Sequence, residues 1–198
     1  MTVAGVTTPA LRRWAAVRTG ALLTAFAVAV ALRVAVGGVA VAQSASAGWL
    51  FASVLLLLSL AAGTRVEVTM RAVVLGFVGV AVVCAPVVLH QVLSARPLHT
   101  TGGFTSWAGV VVVVATAEEI FLRGAIFDAV TDLAGTAAAI SVGAVCFAAL
   151  HVPLYGWHVL PLDLAVGVVL GGLRQVSGTP VAPAVAHVGA DLAGWFLR

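Results

Sequence analysis

Apolar residues occupy the chain in long runs that are separated by short polar or breaker-rich segments. A helix needs about 20 mainly apolar residues to cross the hydrocarbon core of a bilayer, and most of the runs approach this length. The pattern therefore predicts an all-α fold, a polytopic transmembrane helical bundle of about seven spans. The predicted spans cover residues 19–42, 49–63, 72–93, 104–130, 135–151, 161–176 and 181–197.

The segments between the runs divide the chain into three parts. Residues 1–18 form a short polar lead, residues 19–103 hold three transmembrane helices, and residues 104–198 hold four. The boundary is the sequence SARPLHTTGG, the longest loop-like stretch, which is rich in helix breakers. The first apolar run is as long as a full span and lacks the short core of a signal peptide, so it is predicted to be a retained helix.

The arginines predict the orientation of the chain, because basic residues concentrate in cytoplasmic loops. A cytoplasmic N-terminus leaves only Arg96 and Arg198 on the opposite side, and seven spans then place the C-terminus there. The Ala-, Val- and Arg-rich composition indicates a bacterial cytoplasmic membrane. The arginines on the cytoplasmic side would be Arg12, Arg13, Arg18, Arg65, Arg71 and Arg174.

Composition excludes several other classes of protein. Of the 198 residues, 62% are hydrophobic and 9% are charged, and the mean hydropathy is +1.17. A soluble domain has about 25% charged residues. The pI near 9.7 reflects a few arginines at the ends of apolar runs, so no nucleic-acid partner is expected. Cys84 and Cys146 each lie in an apolar run, which argues against a disulfide framework or a thiolate metal site.

The fourth predicted span contains three ionisable residues, Glu118, Glu119 and Arg123. Each ionised side chain at the centre of a bilayer costs at least about 2.5 kcal/mol, so the group needs compensation. Glu119 and Arg123 are four residues apart and share a helix face, which predicts an ion pair, whereas Glu118 is rotated away by about 100°. The acids are then either a structural ion pair or a catalytic carboxylate with its neighbours. Arg33, within the first span, is predicted to snorkel to an interface or to contact an acid elsewhere.

Two later spans carry further polar groups at helical spacing. His151 follows Phe147 by four residues in FAALH, and Asp191 follows His187 by four residues in HVGAD. Either pattern alone is typical of packing or of an ordinary hydrogen bond within one helix. Together with the acids of the fourth span they form a much more specific set, and helix tilt would permit the three groups to converge.

In this order, EEIFLRG, FAALH and GGLRQVSGTPVAPAVAHVGAD resemble the three motifs of the CAAX prenyl endopeptidase type II and bacteriocin-processing (CPBP, or Abi) membrane family. The family pattern is EExxxR, FxxxH and HxxxN or HxxxD, and the resemblance covers residues 109–198. Asp191 stands where the eukaryotic CAAX enzymes have asparagine. An ionised aspartate cannot donate a hydrogen bond as an amide does.

The resemblance implies an intramembrane glutamate-type endopeptidase without a cofactor. Glu118 would be the general base that activates water, with the assistance of His151. Glu119, held by Arg123, would orient the site, and His187 with Asp191 would polarise the scissile carbonyl and stabilise its oxyanion. The implied partners are the lipid bilayer and a substrate that is a peptide or a membrane-associated protein.

Three other functions compete with this interpretation. Two histidines and several acids could bind zinc, but the chain has no HExxH motif and Arg123 would oppose a nearby cation. The polar residues could instead form the structural core of a membrane scaffold or an immunity protein. A transporter could use them as a proton relay, although no repeat relates the two halves of the chain. The cleavage sequence and the oligomeric state are not specified by these patterns.

Overall fold

The computed structural model describes residues 9–94 and 103–197. Within these ranges the chain is helical and has no strand, which confirms the predicted all-α class. Most of the predicted loop SARPLHTTGG lies outside the described residues, as do Arg96 and Arg198. The membrane orientation predicted from the arginines stays a prediction.

The described residues form seven helical rods, in agreement with the predicted number of helices. One rod is composite, because a π-helical segment joins α4 to α5 without a break. Short 3-10 turns cover Gly38–Ala40 and Trp157–Val159. The main elements are α1 Pro9–Gly37, α2 Ala45–Ala61, α3 Met70–Leu93, α4 Phe104–Ile120, the π-helical segment Phe121–Ile126, α5 Phe127–Ala134, α6 Thr136–Tyr155, α7 Leu160–Ser177 and α8 Val181–Phe196.

Four helical stretches of the described residues are long and apolar enough to cross a membrane by length and composition. They are Pro9–Ala40, Met70–Leu93, Thr136–Tyr155 and Trp157–Ser177. A fifth apolar helix, Ala45–Ala61, is shorter. These helices identify the chain as an integral membrane protein, as predicted.

Two predicted helix limits were wrong. α1 begins at Pro9, so residues 9–18 of the predicted polar lead belong to the first helix. Proline is well suited to the first helical position, and the Ala, Leu and Arg residues that follow are good helix formers. α6 does not stop before Pro153 but ends at Tyr155, where Gly156 adopts a φ of 95° that favours glycine. Pro153 is accommodated in the last turn of α6, where it costs that helix one backbone donor.

Glycines allow close packing between the helices that surround the site. A Cβ added at Gly167 of α7 would lie 2.6 Å from Ala144 Cα of α6. A Cβ added at Gly76 of α3 would lie 2.9 Å from the carbonyl oxygen of Ala182 in α8. Because backbone atoms cannot yield as a flexible side chain does, only glycine permits these approaches. They hold α6 against α7 and α3 against α8, and α8 also packs on α4.

Candidate active site

The adjacent acids lie at the C-terminal end of α4, where the helix changes from α to π geometry. Glu118 and Glu119 are 3% and 0% exposed. The π-helical segment Phe121–Ile126 follows directly and contains Arg123, which is 1% exposed. π-helical turns are rare and occur often at functional sites. Three ionisable side chains are thus buried around one irregular turn of a single rod.

Glu119 is bound from two directions. Arg123 Nη1 donates to Glu119 Oε1 over 2.8 Å, which is the ion pair that the spacing predicts. The same oxygen accepts a hydrogen bond from His187 Nδ1 of α8 over 3.0 Å. Arg123 also donates from Nη2 to the carbonyl oxygen of Gly167 and lies 5.0 Å from the ring centroid of Phe147. Glu119 therefore links α4 to α8, and its partner Arg123 extends the link to α6 and α7.

Glu118 is directed to a different arginine. Arg33 Nη1 of α1 donates to Glu118 Oε1 over 3.2 Å, and both side chains are buried. The guanidinium of Arg33 also lies 4.7 Å from the ring centroid of Phe51 in α2. Of the two fates predicted for Arg33, contact with an acid is confirmed and snorkelling is wrong. The carboxylate supplies a counter-charge inside the bundle, so the arginine has no need to reach an interface.

The histidine of the second motif is oriented by its own helix. His151 Nδ1 lies 2.8 Å from the carbonyl oxygen of Phe147. A carbonyl only accepts, so Nδ1 carries the proton in this bond and the neutral ring keeps Nε2 as an acceptor. The phenyl ring of Phe147 packs against both His151 and His187, with centroids 4.5 Å and 5.1 Å away. The FxxxH spacing therefore positions His151 through the carbonyl oxygen and the phenyl ring of Phe147.

The three motifs converge. One ligand atom from each of Glu118, His151 and His187 lies within 4.8 Å of the other two. Asp191 is more peripheral, because its Oδ2 lies 3.6 Å from His187 Nε2 and its side chain is 43% exposed. The structure thus brings all six predicted site residues together in two layers, with Glu119 and Arg123 beneath Glu118 and the histidines.

A cavity of about 550 Å³ borders one of these layers and not the other. Its wall includes Arg33, Glu118, His151, His187 and Asp191. Glu119 and Arg123 lie behind this wall, fully enclosed by protein. The remaining lining is mixed, with polar Gln43, Ser44 and Ser106 and with aromatic Trp107, Tyr155 and Trp195. Of the two adjacent glutamates, only Glu118 is therefore placed to meet a molecule in the cavity.

Sequence reasoning missed Asp163 of α7. Its Oδ2 lies 3.9 Å from His151 Nδ1, and the side chain is 15% exposed. This oxygen is buried and has no hydrogen-bond partner. The signal was available, since Asp163 interrupts the apolar sequence LPLDLAVGVV just as the glutamates interrupt their own span. Asp163 matches none of the three motifs, so their spacing does not predict it.

Arg174, predicted as a topology determinant, contacts the π-helical segment. Its Nε donates to the carbonyl oxygen of Arg123 over 2.6 Å, and its Nη2 donates to Asp128 Oδ1 over 2.7 Å. The guanidinium also lies 5.0 Å from the ring centroid of Phe127. An interrupted helical ladder leaves backbone carbonyls that need other donors, and Arg174 supplies one. The hydrogen bonds of Arg174 thus stabilise the π-helical turn that contains Arg123.

The donor set could also hold a metal ion. One carboxylate and two imidazoles match the three protein ligands of a catalytic zinc site. Tetrahedral zinc, with bonds of about 2.0–2.1 Å, places its ligand atoms about 3.4 Å apart, and the three ligand atoms here lie within 4.8 Å of one another. The Arg33 guanidinium, 3.2 Å from Glu118, would compete with the ion for this carboxylate. The residues therefore match zinc in ligand type, with the fixed positive charge of Arg33 opposing the ion.

The fold and the site define a membrane-embedded helical bundle with a buried glutamate–histidine centre beside a cavity. Residues 100–193, which include all six predicted site residues, match the family model of Type II CAAX prenyl endopeptidase Rce1-like proteins. The match confirms the resemblance predicted from the three motifs, over just under half of the chain. No curated protein and no solved structure gives a significant match to the chain.

Proposed function

We propose that this protein is an intramembrane endopeptidase of the CAAX-protease and bacteriocin-processing type, which hydrolyses a peptide bond with water activated by Glu118. One observation carries the proposal. Glu118, His151 and His187 line the same cavity and place their ligand atoms within 4.8 Å of one another. The family match over residues 100–193 supports the peptidase class.

Glu118 and His151 are suited to activate the water. Arg33 binds Oε1 of Glu118, which leaves Oε2 to accept a proton. His151 donates from Nδ1 to Phe147, so its Nε2 is the acceptor that would orient the same water. As the water oxygen bonds to the scissile carbonyl carbon, one of its protons passes to Glu118. A general base positioned in this way contributes about 10²–10⁴-fold to the rate.

His187 and Asp191 would act on the carbonyl oxygen. His187 is fixed by the bond from its Nδ1 to Glu119, so its Nε2 side is held near Asp191 at the cavity wall. A hydrogen bond from Nε2–H of a doubly protonated His187, or from a protonated carboxyl of Asp191, would stabilise the developing oxyanion. Donors fixed in advance around an oxyanion are effective in a site with little water. The carbon–nitrogen bond then breaks, and Glu118 returns its proton to the leaving nitrogen.

The cavity indicates the class of substrate. Its volume of about 550 Å³ lies within the range of about 300–1,000 Å³ that is usual for ligand pockets. The aromatic side chains of its wall provide apolar surface, and the polar side chains provide hydrogen-bonding groups for a peptide backbone. The substrate is therefore a peptide or a segment of a membrane-associated protein. The proposed setting is a bacterial cytoplasmic membrane with the N-terminus of the enzyme in the cytoplasm.

The test compares wild type with Glu118→Gln in liposomes, using a fluorogenic peptide library with lipidated and unmodified members. We expect wild type to cleave part of the library and Glu118→Gln to lose about 10²–10⁴-fold in kcat. Its melting temperature should fall less than that of a variant at the enclosed Glu119, because the amide oxygen still accepts from Arg33 and both residues line the cavity. Asp132→Asn, at a carboxylate that is 62% exposed, is the control and should retain full activity.

Two outcomes would overturn the assignment. Cleavage by Glu118→Gln at the wild-type rate would exclude Glu118 as the base. An inactive wild type, combined with strong loss of stability in Glu118→Gln, would favour the rival in which the polar residues are the structural core of a scaffold or immunity protein. The two buried ion pairs, Glu118–Arg33 and Glu119–Arg123, are the observation that favours that rival.

A zinc peptidase is the second candidate, because Glu118, His151 and His187 offer three ligands. Incubation of the purified enzyme with a strong zinc chelator separates the two mechanisms. We expect cleavage to continue unchanged, since water activation by Glu118 requires no metal. Loss of cleavage that added zinc restores would instead assign the three residues as ligands.

A further inference from the structure

The glutamate proposed as the base is neutralised by a residue from outside the family match. Arg33 lies on α1, separated from Glu118 by 85 positions, whereas the matched segment covers residues 100–193. Its side chain is buried, donates from Nη1 to Glu118 Oε1 over 3.2 Å, and contributes to the cavity wall. The N-terminal part of the chain therefore contributes a charged group to the site.

The surroundings of Arg33 fix its guanidinium. Phe51 of α2 lies beneath it at 4.7 Å, and this ring is 1% exposed. Arg33 Nε is buried and has no hydrogen-bond partner, so the position of the group depends on its stacking with Phe51 and its bond to Glu118. A planar guanidinium retains its charge in such a site and has few ways to turn. Both features suit a group that orients a carboxylate.

We propose that Arg33 is a positioning residue for Glu118: it holds one carboxylate oxygen so that the other faces the water in the cavity. This inference rests on the proposed function of Glu118 as the general base. Arg33 itself exchanges no proton. When water transfers its proton to Glu118, the charge of Arg33 loses its counter-charge. That imbalance opposes the first transfer to Glu118 and favours the later passage of the proton to the leaving nitrogen when the carbon–nitrogen bond breaks.

A structural ion pair and a positioning residue differ in what their removal changes. Loss of a purely structural pair lowers the melting temperature and reduces the amount of folded enzyme, but the folded molecules retain their kcat. Loss of a group that orients the base lowers kcat in molecules that remain folded. KM should change little, because Arg33 acts on Glu118 and the peptide is bound by the other walls of the cavity.

The experiment measures kcat, KM and melting temperature for Arg33→Gln, Arg33→Met and Arg33→Lys in liposomes, with a fluorogenic peptide that wild type cleaves. We expect Gln and Met to lower kcat about 30-fold or more, with KM within about twofold of wild type. Lys keeps the positive charge, so it should recover a substantial part of kcat. Arg18→Gln is the control on the same helix, since Arg18 forms an exposed bridge to Asp132, and it should behave as wild type.

Three results would count against the inference. If folded Arg33→Gln or Arg33→Met has the kcat of wild type, Glu118 needs no positioning partner. Arg33→Met serves for this measurement if Arg33→Gln does not fold. A Lys variant no more active than Gln would show that charge is not what matters. If wild type cleaves no member of the peptide library, the proposed function itself is wrong. If wild type is active and the Arg33 variants have the same kcat, only the inference about Arg33 is wrong.

Discussion

His187 Nδ1 lies 3.0 Å from Glu119 Oε1, so the third motif is hydrogen-bonded to the first. The same oxygen accepts from Arg123 Nη1 over 2.8 Å. One carboxylate oxygen thus carries two contacts from different helices, and both partners are buried. Glu119 therefore holds the arrangement in which Glu118 and the histidines share a cavity.

Arg123→Met should destabilise the folded protein strongly. It leaves the enclosed carboxylate of Glu119 without its arginine, and removal of one member of a buried ion pair costs about 3–5 kcal/mol. The measurement is the free energy of unfolding in mild detergent. Arg18→Met removes an exposed bridge and is the matched control, with an expected loss of no more than about 1 kcal/mol. Equal losses in the two variants would contradict the central position of the Glu119–Arg123 pair.

Asp191→Asn should retain activity or increase it. The amide can donate a hydrogen bond to an oxyanion, which an ionised carboxylate cannot do. The side chain is 43% exposed, so the change should have little effect on folding. The readout is kcat with the peptide that wild type cleaves. A large loss of kcat would show that the negative charge is required beside His187 Nε2, and would remove Asp191 as an oxyanion donor.

Asp163→Asn should lower kcat by about tenfold while KM stays near the wild-type value. Asp163 Oδ2 lies 3.9 Å from His151 Nδ1, where a carboxylate beside the Nδ1 proton would make Nε2 a stronger hydrogen-bond acceptor for the water. Asp132→Asn is a suitable control, because that carboxylate is exposed, pairs with Arg18 and does not line the cavity of the site. An unchanged kcat in folded Asp163→Asn would limit this residue to packing.

Gly167→Ala should separate α6 from α7 and disturb the site. The new Cβ would lie 2.6 Å from Ala144 Cα, and overpacking of this kind costs about 1–3 kcal/mol. The Gly167 carbonyl also accepts from Arg123 Nη2, so activity should fall as well. Gly172→Ala lies on the same helix with nothing within 4 Å of its Cβ, and it should leave melting temperature and activity intact. A harmless Gly167→Ala would refute the close helix contact.

The sequence was sufficient to predict contacts between residues of the same helix. The pair Glu119–Arg123 and the bond between His151 and Phe147 follow from residues four apart, which share a helix face. The number of helices followed from the apolar runs. Their ends were less certain, because a helix such as α1 continues through arginines whose side chains reach solvent.

Contacts between distant helices could not be predicted in this way. The bond from Arg33 to Glu118 depends on how α1 packs against α4, and no spacing rule connects them. The sequence also does not predict the π-helical segment Phe121–Ile126, since most of its residues are ordinary helix formers and its geometry depends on partners such as Arg174. Asp163 belongs to the same class, because only the approach of α7 to α6 places it near His151.

The separation of Glu118 from Glu119 by the cavity wall has a practical consequence. We expect substitutions at these neighbouring positions to fail in opposite ways: a change at Glu119 should destabilise the fold, whereas Glu118→Gln should remove the reaction and leave the cavity walls in place. An inactive variant of this kind should still bind the substrate that it can no longer cleave. Photocrosslinking from the Glu118→Gln variant in living membranes would thus capture the natural substrate, and mass spectrometry of the adduct would identify it.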